Sequence, residues 1–568
     1  MSMLGRFAAG TQTRGMSATI VLGTTLALSI HALGVSESGV QELQPKSGEP
    51  VLNLTLSQLE RFEHGKLLYG TPITIEEGQG PILNKSNCRS CHTNPDGGSG
   101  SIAVVHFGME EKGEFIPLPG GSLFQLVAIG ENCREVIPPE ANFTTTHVTP
   151  GMMGYGLVEA IPDADIVAIA DPTDANGDGV SGRVHWVQPA EDPTGPLRVG
   201  RFGWKSIVAT ILTFSGDASM NELGLTNALF PEENAPNGDI ELRDMCDDVA
   251  DPEDHADEDG FTFIERVTDF QRYMAAPPQT PRSGMTGEAL FASIGCAQCH
   301  VQTTFITSND PSLEDALRNK PVKPYSDFLL HDMGTLGDGL PQGDAYGNEF
   351  RTTPLMGIRD RELLLHNGSV AGGTFESRII NAIAAHGPLG EAATSASAFA
   401  ALSANEKDSI VSFLDSLGRR EFDFNGDREI DVLDFTIFAS CYSIDVVHMP
   451  DDVCAIDDVD QDGDVDDVDL SLFLQAYEAE NGDCDCNGMS DLEEILAGAS
   501  DKDNNGVPDE CVPCDGDFNC DNVVDGGDLG TLLTNWGQCS DCPADLNSDN
   551  LVDGADLGLF LIRWGQCP

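Results

Sequence analysis

The chain has 568 residues, which is too many for one ordinary hydrophobic core, so we expect several domains. Its hydrophobic fraction of 40% is enough for globular packing and argues against a disordered chain. The formal net charge of -63 argues against nucleic acid as a partner over most of the surface.

The N-terminus has the pattern of an export signal. Arg6 and Arg14 precede an apolar run over residues 18–33, which is short for a membrane span. An uncleaved anchor helix is the alternative interpretation. We predict a signal peptide over residues 1–34 and a linker over 35–52, with no transmembrane domain after signal removal. The protein is therefore expected to be exported, to the periplasm, the cell surface or the extracellular medium.

Two Cys-x-x-Cys-His runs are the most specific signals in the chain. Two thiols at this spacing can each form a thioether to one haem vinyl group, and the histidine that follows then lies under the iron as proximal ligand. A thioredoxin-like dithiol or half of a zinc site is the alternative. We predict two covalently bound c-type haems. Their ligands would be Cys88, Cys91 and His92 in the first run, and Cys296, Cys299 and His300 in the second.

Helical patterns flank both runs. Apolar residues recur at helical spacing before the first run, over residues 56–68, and on both sides of the second, over 287–295 and 399–417. Helices in the last two positions pack across each other in cytochrome c folds. The predicted buried stripes are Leu59, Phe62, Leu67 and Leu68 in the first helix, and Leu402, Ile410, Phe413 and Leu414 in the last.

The region between the runs is mixed. It contains strand-like segments over 102–107 and 123–129, an apolar helical segment over 207–214 and an acidic stretch over 234–259 that we interpret as a surface loop. The 16 cysteines fit an oxidising compartment, and Cys133 and Cys246 are free to pair as a disulfide. A half calcium loop, with a solvated turn as the alternative, is formed by Asp174, Asn176 and Asp178.

The last quarter of the chain is strongly acidic. Residues 421–568 contain 38 Asp and Glu against 3 Lys and Arg, a charge that divalent cations would neutralise. Oxygen-bearing residues stand at positions one, three, five, nine and twelve of four loops, the spacing that surrounds a calcium ion. The first loop is the weakest, because Arg428 replaces the usual glycine at position six. The predicted ligands are Asp423, Asn425, Asp427, Asp431 and Asp434; Asp458, Asp460, Asp462, Asp466 and Asp469; Asp517, Asn519, Asp521, Asp525 and Asp528; and Asp545, Asn547, Asp549, Asp553 and Asp556.

The chain from about residue 52 to 418 resembles the bacterial di-haem oxidoreductase family, whose relatives include di-haem cytochrome c peroxidases and the methylamine-dehydrogenase maturation enzyme. The resemblance is carried by the second run and by residues 154–162, 174–183, 200–205, 329–334, 351–355 and 365–368. The tail resembles dockerin type I repeats in two pairs.

These resemblances imply a mainly α fold with two cytochrome c-like haem domains, a small irregular or β insertion and a C-terminal dockerin/EF-hand-like α repeat region. The haem domains are expected over 53–283 and 284–418. In the tail, repeat pairs over 419–480 and 515–568 would flank a Cys-rich calcium-loop linker over 481–514.

An enzyme of this family would reduce a peroxide-like small substrate with electrons from a small redox protein. By resemblance, Glu159 is the candidate acid/base, although a pair with Arg183 or Arg201 is the alternative. Trp204 is a candidate electron relay between the haems, or else a buried aromatic without a redox role. Met333 or His331 would be the sixth ligand of the second haem, or else ordinary core or loop residues.

A second function remains open from the sequence. Both irons would then be closed by two axial ligands, and the protein would be a non-catalytic di-haem electron-transfer cytochrome anchored by its tail. The tail itself is expected to bind a cohesin-like or cell-surface partner, or to act as a calcium-stiffened spacer.

Overall fold

The computed structural model describes residues 43–247, 249–442, 453–456, 458–459, 463–481, 491–499, 508, 516–517, 523–524, 526–538, 544–547 and 551–566. The described chain from residue 43 onward belongs to one compact unit. Within it, no helix is long and apolar enough to cross a membrane. The predicted signal peptide lies outside the described residues, as do the loop ligands Asp460, Asp462, Asn519, Asp521, Asp525 and Asp549.

The described chain combines short helices with small sheets, so the expectation of a mainly α fold needs correction. The enzyme-like part contains α1 (Leu56–Gly70), α2 (Tyr155–Glu159), α3 (Asp163–Ala168), α4 (Ile211–Ala218), α5 (Ile240–Cys246), α6 (Phe263–Tyr273), α7 (Thr286–Ser293), α8 (Phe375–Ala385), α9 (Ala393–Ala401) and α10 (Ala404–Ser416). The tail contains α11 (Val432–Cys441), α12 (Asp467–Asn481), α13 (Asp491–Ala497), α14 (Gly526–Thr534) and α15 (Gly554–Ile562).

The strands form one four-stranded sheet and several two-stranded ladders. They are β1 (Ile82–Leu83), β2 (Ala103–Glu111), β3 (Glu114–Ile116), β4 (Leu123–Phe124), β5 (Val127–Ala128), β6 (Phe143–Val148), β7 (Trp186–Val187), β8 (Arg198–Val199), β9 (Phe305–Ile306), β10 (Pro321–Val322), β11 (Leu330–Asp332), β12 (Glu349–Arg351), β13 (Leu363–Leu364), β14 (Val370–Ala371), β15 (Val523–Val524), β16 (Gly537–Gln538), β17 (Leu551–Val552) and β18 (Gly565–Gln566). The central strand β2 pairs antiparallel with β3, β4 and β6. The predicted strand over 123–129 is divided between β4 and β5.

The first core is built on the crossing of α1 and α6. The rings of Phe62 and Tyr69 pack on Phe270, with centroids 5.2 Å and 5.0 Å apart. Gly65 is needed at the crossing, because a Cβ there would clash with the carbonyl oxygen of Arg266. The predicted helix is confirmed, and Phe62 is buried as expected.

The rest of the predicted α1 stripe is largely wrong. Leu59 is 38% exposed and Leu67 is 64% exposed, while Gly65 and Tyr69 are buried. The physical reason is the close helix crossing: α6 packs on the face that carries Gly65, and hydrophobicity alone does not mark that face.

The second core repeats this arrangement with α7 and α10. Phe291 and Phe413 pack edge to face at 5.5 Å, and a Cβ on Gly287 would clash with the carbonyl oxygen of Ser409. The helix predicted over 399–417 is two helices, α9 and α10. The first ends at Ala401, and Ser403 caps the second, because its side chain accepts from the backbone N–H of Glu406 in a capping box.

Two further predictions between the runs need correction. The helix expected over 207–214 is α4, which begins at Ile211 because the Thr210 side chain caps it. The stretch over 234–259 is more than a surface loop: it contains α5, and Glu253 is buried. The predicted pairing of Cys133 with Cys246 is confirmed.

The tail packs on the enzyme-like part through polar contacts. Arg282 donates to the buried carboxylate of Glu421 at 2.8 Å. Arg428 pairs with Asp360 at 2.8 Å, which explains why a cation stands at the sixth position of the first loop. In the last two repeats, β15 pairs with β18 and β16 with β17, so each repeat contributes a strand to the other.

Candidate functional site

The second Cys-x-x-Cys-His run begins where α7 ends. Gly295 takes a left-handed conformation, φ 94°, and Cys296–Gln298 forms a single 3-10 turn. Cys296 and Cys299 are both free thiols, and burial raises the pKa of Cys296 to about 12. Cys88 and Cys91 in the first run are free as well. The cysteines of both runs are therefore available for a covalent bond.

Both proximal histidine candidates are oriented in the same way. His300 donates Nδ1–H to the carbonyl oxygen of Tyr325 at 3.0 Å, and His92 donates to that of Gly98 at 3.2 Å. Burial lowers the pKa of each ring to about 4, so both are neutral at pH 7. A neutral imidazole held through Nδ1 presents Nε2 as a metal ligand.

The second run faces a large apolar cavity. Its empty space, counted to its open mouth, is about 1870 Å³. The cavity extends from Cys296 and His300 to Asn94 and Ser99, in the loop that follows the first run. Side chains with chemical function on its wall are Trp204, His331, Met333, Arg351, Arg361, His366, His386 and Glu391.

Two guanidinium groups on this wall have no carboxylate partner among the described residues. Arg351 is buried, and its Nη1 has no hydrogen-bond partner there. Arg361 donates Nη2 only to the carbonyl oxygens of Pro354 and Met356. Burial lowers the pKa of both, that of Arg361 to about 10. The two propionates of a haem are the anions that such unpaired donors would accept, so the cavity fits a haem.

His331 is held between two carboxylates. Its Nε2 lies 2.9 Å from Asp327 and its Nδ1 2.8 Å from Glu391. Burial opposes protonation, but the Asp327 charge prevails and raises the pKa of the ring well above its usual value. Both nitrogens are thus occupied and protonated, which speaks against His331 as an iron ligand. Met333, two residues on, lines the cavity and keeps its predicted role open.

A histidine that the sequence analysis left without a role lies on the same wall. His386 follows α8 and donates Nδ1–H to the carbonyl oxygen of Ala382 at 2.7 Å. Burial lowers its pKa. With Nδ1 engaged in this way, Nε2 is the ring nitrogen that a neutral imidazole would offer to a metal ion. Local sequence gives little signal for this residue, because it is one of several histidines between helices.

Trp204 lines the cavity as well. Its Nε1–H donates to the carbonyl oxygen of Val148 at 2.9 Å, and its ring meets His366 edge to face at 6.3 Å. The strand segment that ends at Val148 continues to Met152, whose N–H donates to Gly97 beside the first run. Trp204 therefore connects to the first run through backbone and hydrogen bonds.

Glu159 has two structural partners. One oxygen accepts from the Ile211 N–H at 2.7 Å, and the other pairs with Arg272 at 3.0 Å. The alternative partners considered from sequence are used elsewhere: Arg183 pairs with Glu349, and Arg201 with Asp163. Glu159 does not line the described cavity. Its contacts favour a structural role, and its acid/base role stays a prediction.

A buried polar cluster lies behind His366. The rings of His106 and His147 are 4.9 Å apart, and that of His147 lies 5.7 Å from His366. Asp338 accepts from His147 at 2.7 Å and from Lys205 at 3.1 Å. Burial lowers the pKa of His106 and of His366 to about 4.

The predicted calcium loops have their acidic side chains turned onto their own backbone. In the half loop, Asp174 accepts from the Gly179 N–H, and Asn176 donates to Asp178. In the first tail loop, Asp434 accepts from the backbone of Phe424. Burial raises the pKa of Asp434 to about 6. The residues at position twelve share full burial: Asp434, Asp469, Asp528 and Asp556.

Comparison with known proteins bears on the redox site. Residues 135–417 match the family model described as "Di-haem oxidoreductase, putative peroxidase". The matched segment is just under half of the chain; it contains the second run and begins after the first. No curated protein matches the chain.

Two solved structures are similar over much of the chain. One is hydrazine synthase of Kuenenia stuttgartiensis, with 15% identity over 68% of this chain and 99% of that one, and a TM-score of 0.28. The other is a MauG-like protein associated with microbial copper homeostasis, with 16% identity over 67% of this chain and 95% of that one, and a TM-score of 0.28. Such TM-scores carry no functional information.

Proposed function

We propose that the protein is an exported di-haem c-type oxidoreductase, a peroxidase that reduces hydrogen peroxide with electrons from a small redox protein. One observation carries the proposal: both runs combine free thiols with a half-buried histidine whose Nδ1 donates to a backbone carbonyl oxygen. The family match over residues 135–417 supports the redox chemistry. Bound haem would supply the iron at which peroxide is cleaved and through which electrons pass.

The protein's own groups would hold the second haem in distinct ways. Cys296 and Cys299 would form the thioethers, and His300 would bind from the proximal side. Arg351 and Arg361 would pair with the propionates. His386 is our preferred sixth ligand, with Met333 as the alternative, because its buried ring is already oriented through Nδ1.

Reducing one peroxide to two waters takes up two electrons and two protons, so the chain has to conduct the electrons and supply the protons. Trp204 is the proposed electron relay. It lies on the wall of the cavity at the second run and connects, through Val148 and Met152, to the loop on which His92 is anchored. Trp204→Phe should slow electron exchange between the two irons while leaving both visible spectra unchanged.

Glu159 is the proposed proton-transfer group, from the family resemblance. Glu159→Gln should lower kcat on the order of 100-fold to 10,000-fold if the carboxyl moves a proton. An unchanged kcat with a lower unfolding temperature would assign Glu159 to its pair with Arg272 and end its catalytic role.

Peroxide-dependent oxidation of a reduced carrier protein tests the function directly. The expected result is turnover that cyanide inhibits, because one iron has to keep an open position. A second candidate is a non-catalytic electron-transfer cytochrome, and the presence of His386 on the wall of the same cavity as the second run favours it for that iron. A low-spin spectrum for both irons, with no response to peroxide or cyanide, would select this candidate.

For the tail we propose dockerin-like calcium binding and a cohesin-like or cell-surface partner. The buried aspartates at position twelve support it, since a carboxylate removed from water is stabilised by a cation. Pull-down with and without chelator tests the proposal. Release of the partner in chelator is expected, and equal retention would exclude calcium-dependent binding.

A further inference from the structure

Four carboxylates converge near the disulfide that joins Cys133 to Cys246. They belong to Glu233, Asp247, Asp251 and Glu253, and each places an oxygen within 4.8 Å of the oxygens of the others. None of these residues belongs to the half calcium loop, to the tail loops or to either haem run. Glu233 lies between α4 and α5, and the other three residues lie between α5 and α6.

Two of the four side chains are buried, and each has one oxygen without a hydrogen-bond partner in the described part of the chain. Glu233 is 8% exposed, and its Oε1 has no hydrogen-bond partner among the described residues. Glu253 is 7% exposed; Thr226 donates to its Oε2, while its Oε1 is likewise without a partner there. A buried anionic oxygen without a donor is costly, and here two such oxygens point into one cluster.

The surroundings do not provide enough positive charge. Arg243 is the nearby cation, and its guanidinium donates to the exposed carboxylate of Asp244 at 2.7 Å. Burial, followed by the charges of Asp247 and Glu253, raises the pKa of Glu233 to about 9. Four carboxylates next to one engaged arginine leave a strong local field that a cation would satisfy.

The backbone closes the other side of the cluster. Gly78 and Gly80 form a turn against it, and a Cβ on either would clash with Glu253 or with Glu233, respectively. Asp251 is exposed, so the cluster is open to solvent on one side. The site thus has a walled base and an entrance, which a cation arriving from solution requires.

We propose that Glu233, Asp247, Asp251 and Glu253 bind a divalent cation, and that this cation is calcium. All the candidate ligands are carboxylates, which suit a hard ion, and the side chains come from two connecting segments that can adjust to the higher coordination number of calcium. The absence of histidine and cysteine among them disfavours zinc.

The cation would hold together segments that lie far apart in sequence. Glu233 follows α4, while Asp247 and Asp251 follow the disulfide-bonded helix α5. The turn at Gly78 leads into β1 and then into the first haem run at Cys88. The site therefore stabilises the loop on which the first run depends.

Calcium counting on the full-length, haem-loaded protein tests the site. Glu233→Gln keeps the shape of the side chain, and Glu232→Gln, at the exposed neighbouring residue, is the matched control. After equilibrium dialysis against calcium, Glu233→Gln and the double variant Glu233→Gln/Asp251→Asn should bind one calcium ion fewer per chain than wild type and control. Calcium bound by the tail loops adds the same amount to the count of wild type, both variants and the control. Equal calcium content in all of them would overturn the proposal.

Thermal unfolding gives an independent test, because the change in unfolding temperature should have opposite signs in chelator and in calcium. In chelator, Glu233→Gln should raise the unfolding temperature, because it removes a buried carboxyl whose charge the fold does not compensate. In calcium it should lower the unfolding temperature relative to wild type, because it removes a ligand. A shift of the same sign in both conditions would contradict the site even where the calcium counts are ambiguous between loops.

Discussion

The two Cys-x-x-Cys-His runs are alike on the side of their histidines and differ in what surrounds them. Each run is preceded by a helix that crosses another at a glycine, Gly65 in one case and Gly287 in the other. Each histidine donates Nδ1–H to a backbone carbonyl. The second run, however, opens onto a cavity whose two guanidinium groups have no carboxylate partner among the described residues, and His386 lies on its wall.

This difference shows which properties a short motif determines. The run and its helix crossing determine where a haem is attached and which histidine is its proximal ligand, because both features depend on residues close together in sequence. The sixth ligand and the propionate partners come from segments 50 or more residues away, such as Arg351 and His386. Two equal motifs can therefore hold one reactive and one closed iron.

The largest expected effect is the loss of a haem. Replacing Cys88 and Cys91 by alanine, or Cys296 and Cys299, should remove one covalently bound haem and leave the other, because each run lies at its own helix crossing. Intact mass spectrometry of the exported protein counts the haems. Loss of both haems in either variant would show that the two sites are not separate.

Removing the sixth ligand should have the next largest effect. His386→Ala should convert the second ferric haem from low spin to high spin, while Met333→Leu leaves it low spin. Electron paramagnetic resonance distinguishes the two states. The reverse pattern would assign the position to Met333 and withdraw His386.

In the haem-loaded protein, acid should affect the cavity at the second run before the first run, because the iron would keep His92 unprotonated while His106 and His366 can still take up protons. The folded-state pKa of His106 and of His366 is about 4, below the usual value of 6.5. Their neutral burial contributes stability that is present above pH 6.5 and is lost as pH falls toward 4, on the order of 2 kcal/mol for each ring at pH 5.

A pH titration followed by the visible spectrum of each haem tests whether the two regions respond to acid at different pH. His366→Phe, whose ring should still stack on Phe350, is expected to shift the acid transition of the second haem to lower pH. His255→Gln, at an exposed position, is the control and should change nothing. Simultaneous transitions of both haems in wild type would rule out the histidine cluster as the cause.

The smallest expected effect concerns charge near the second haem. Arg351→Gln removes a buried positive charge and should lower the midpoint potential of the second haem by tens of millivolts, since 59 mV is about a tenfold change for one electron. Arg134→Gln, at an exposed position, is the control. A potentiometric titration that shows an equal shift at both haems would contradict the assignment of Arg351 to the second.

Local patterns predicted much of this molecule. The helices at both runs, the buried residues Ile410 and Phe413, and the disulfide between Cys133 and Cys246 are confirmed. These features depend on periodicity or on the few cysteines available. The burial of α1 was mispredicted because Gly65, the smallest residue, marks its packed face.

The unpredicted part of the site has a common cause. Arg351, Arg361 and His386 matter because they share a cavity wall, and Glu233 because it is buried without a partner. Such properties arise from tertiary contacts and leave no periodic pattern in the sequence. His331 shows the converse: a histidine at a promising position is occupied by Asp327 and Glu391.

Electron paramagnetic resonance of the exported protein reduced by one electron tests the central claim most directly. We expect two covalent haems, of which the second becomes ferrous or stays low spin, and a ferric first haem that is high spin and binds cyanide. Two low-spin haems that ignore cyanide in every redox state, or a chain without any covalent haem, would contradict the account.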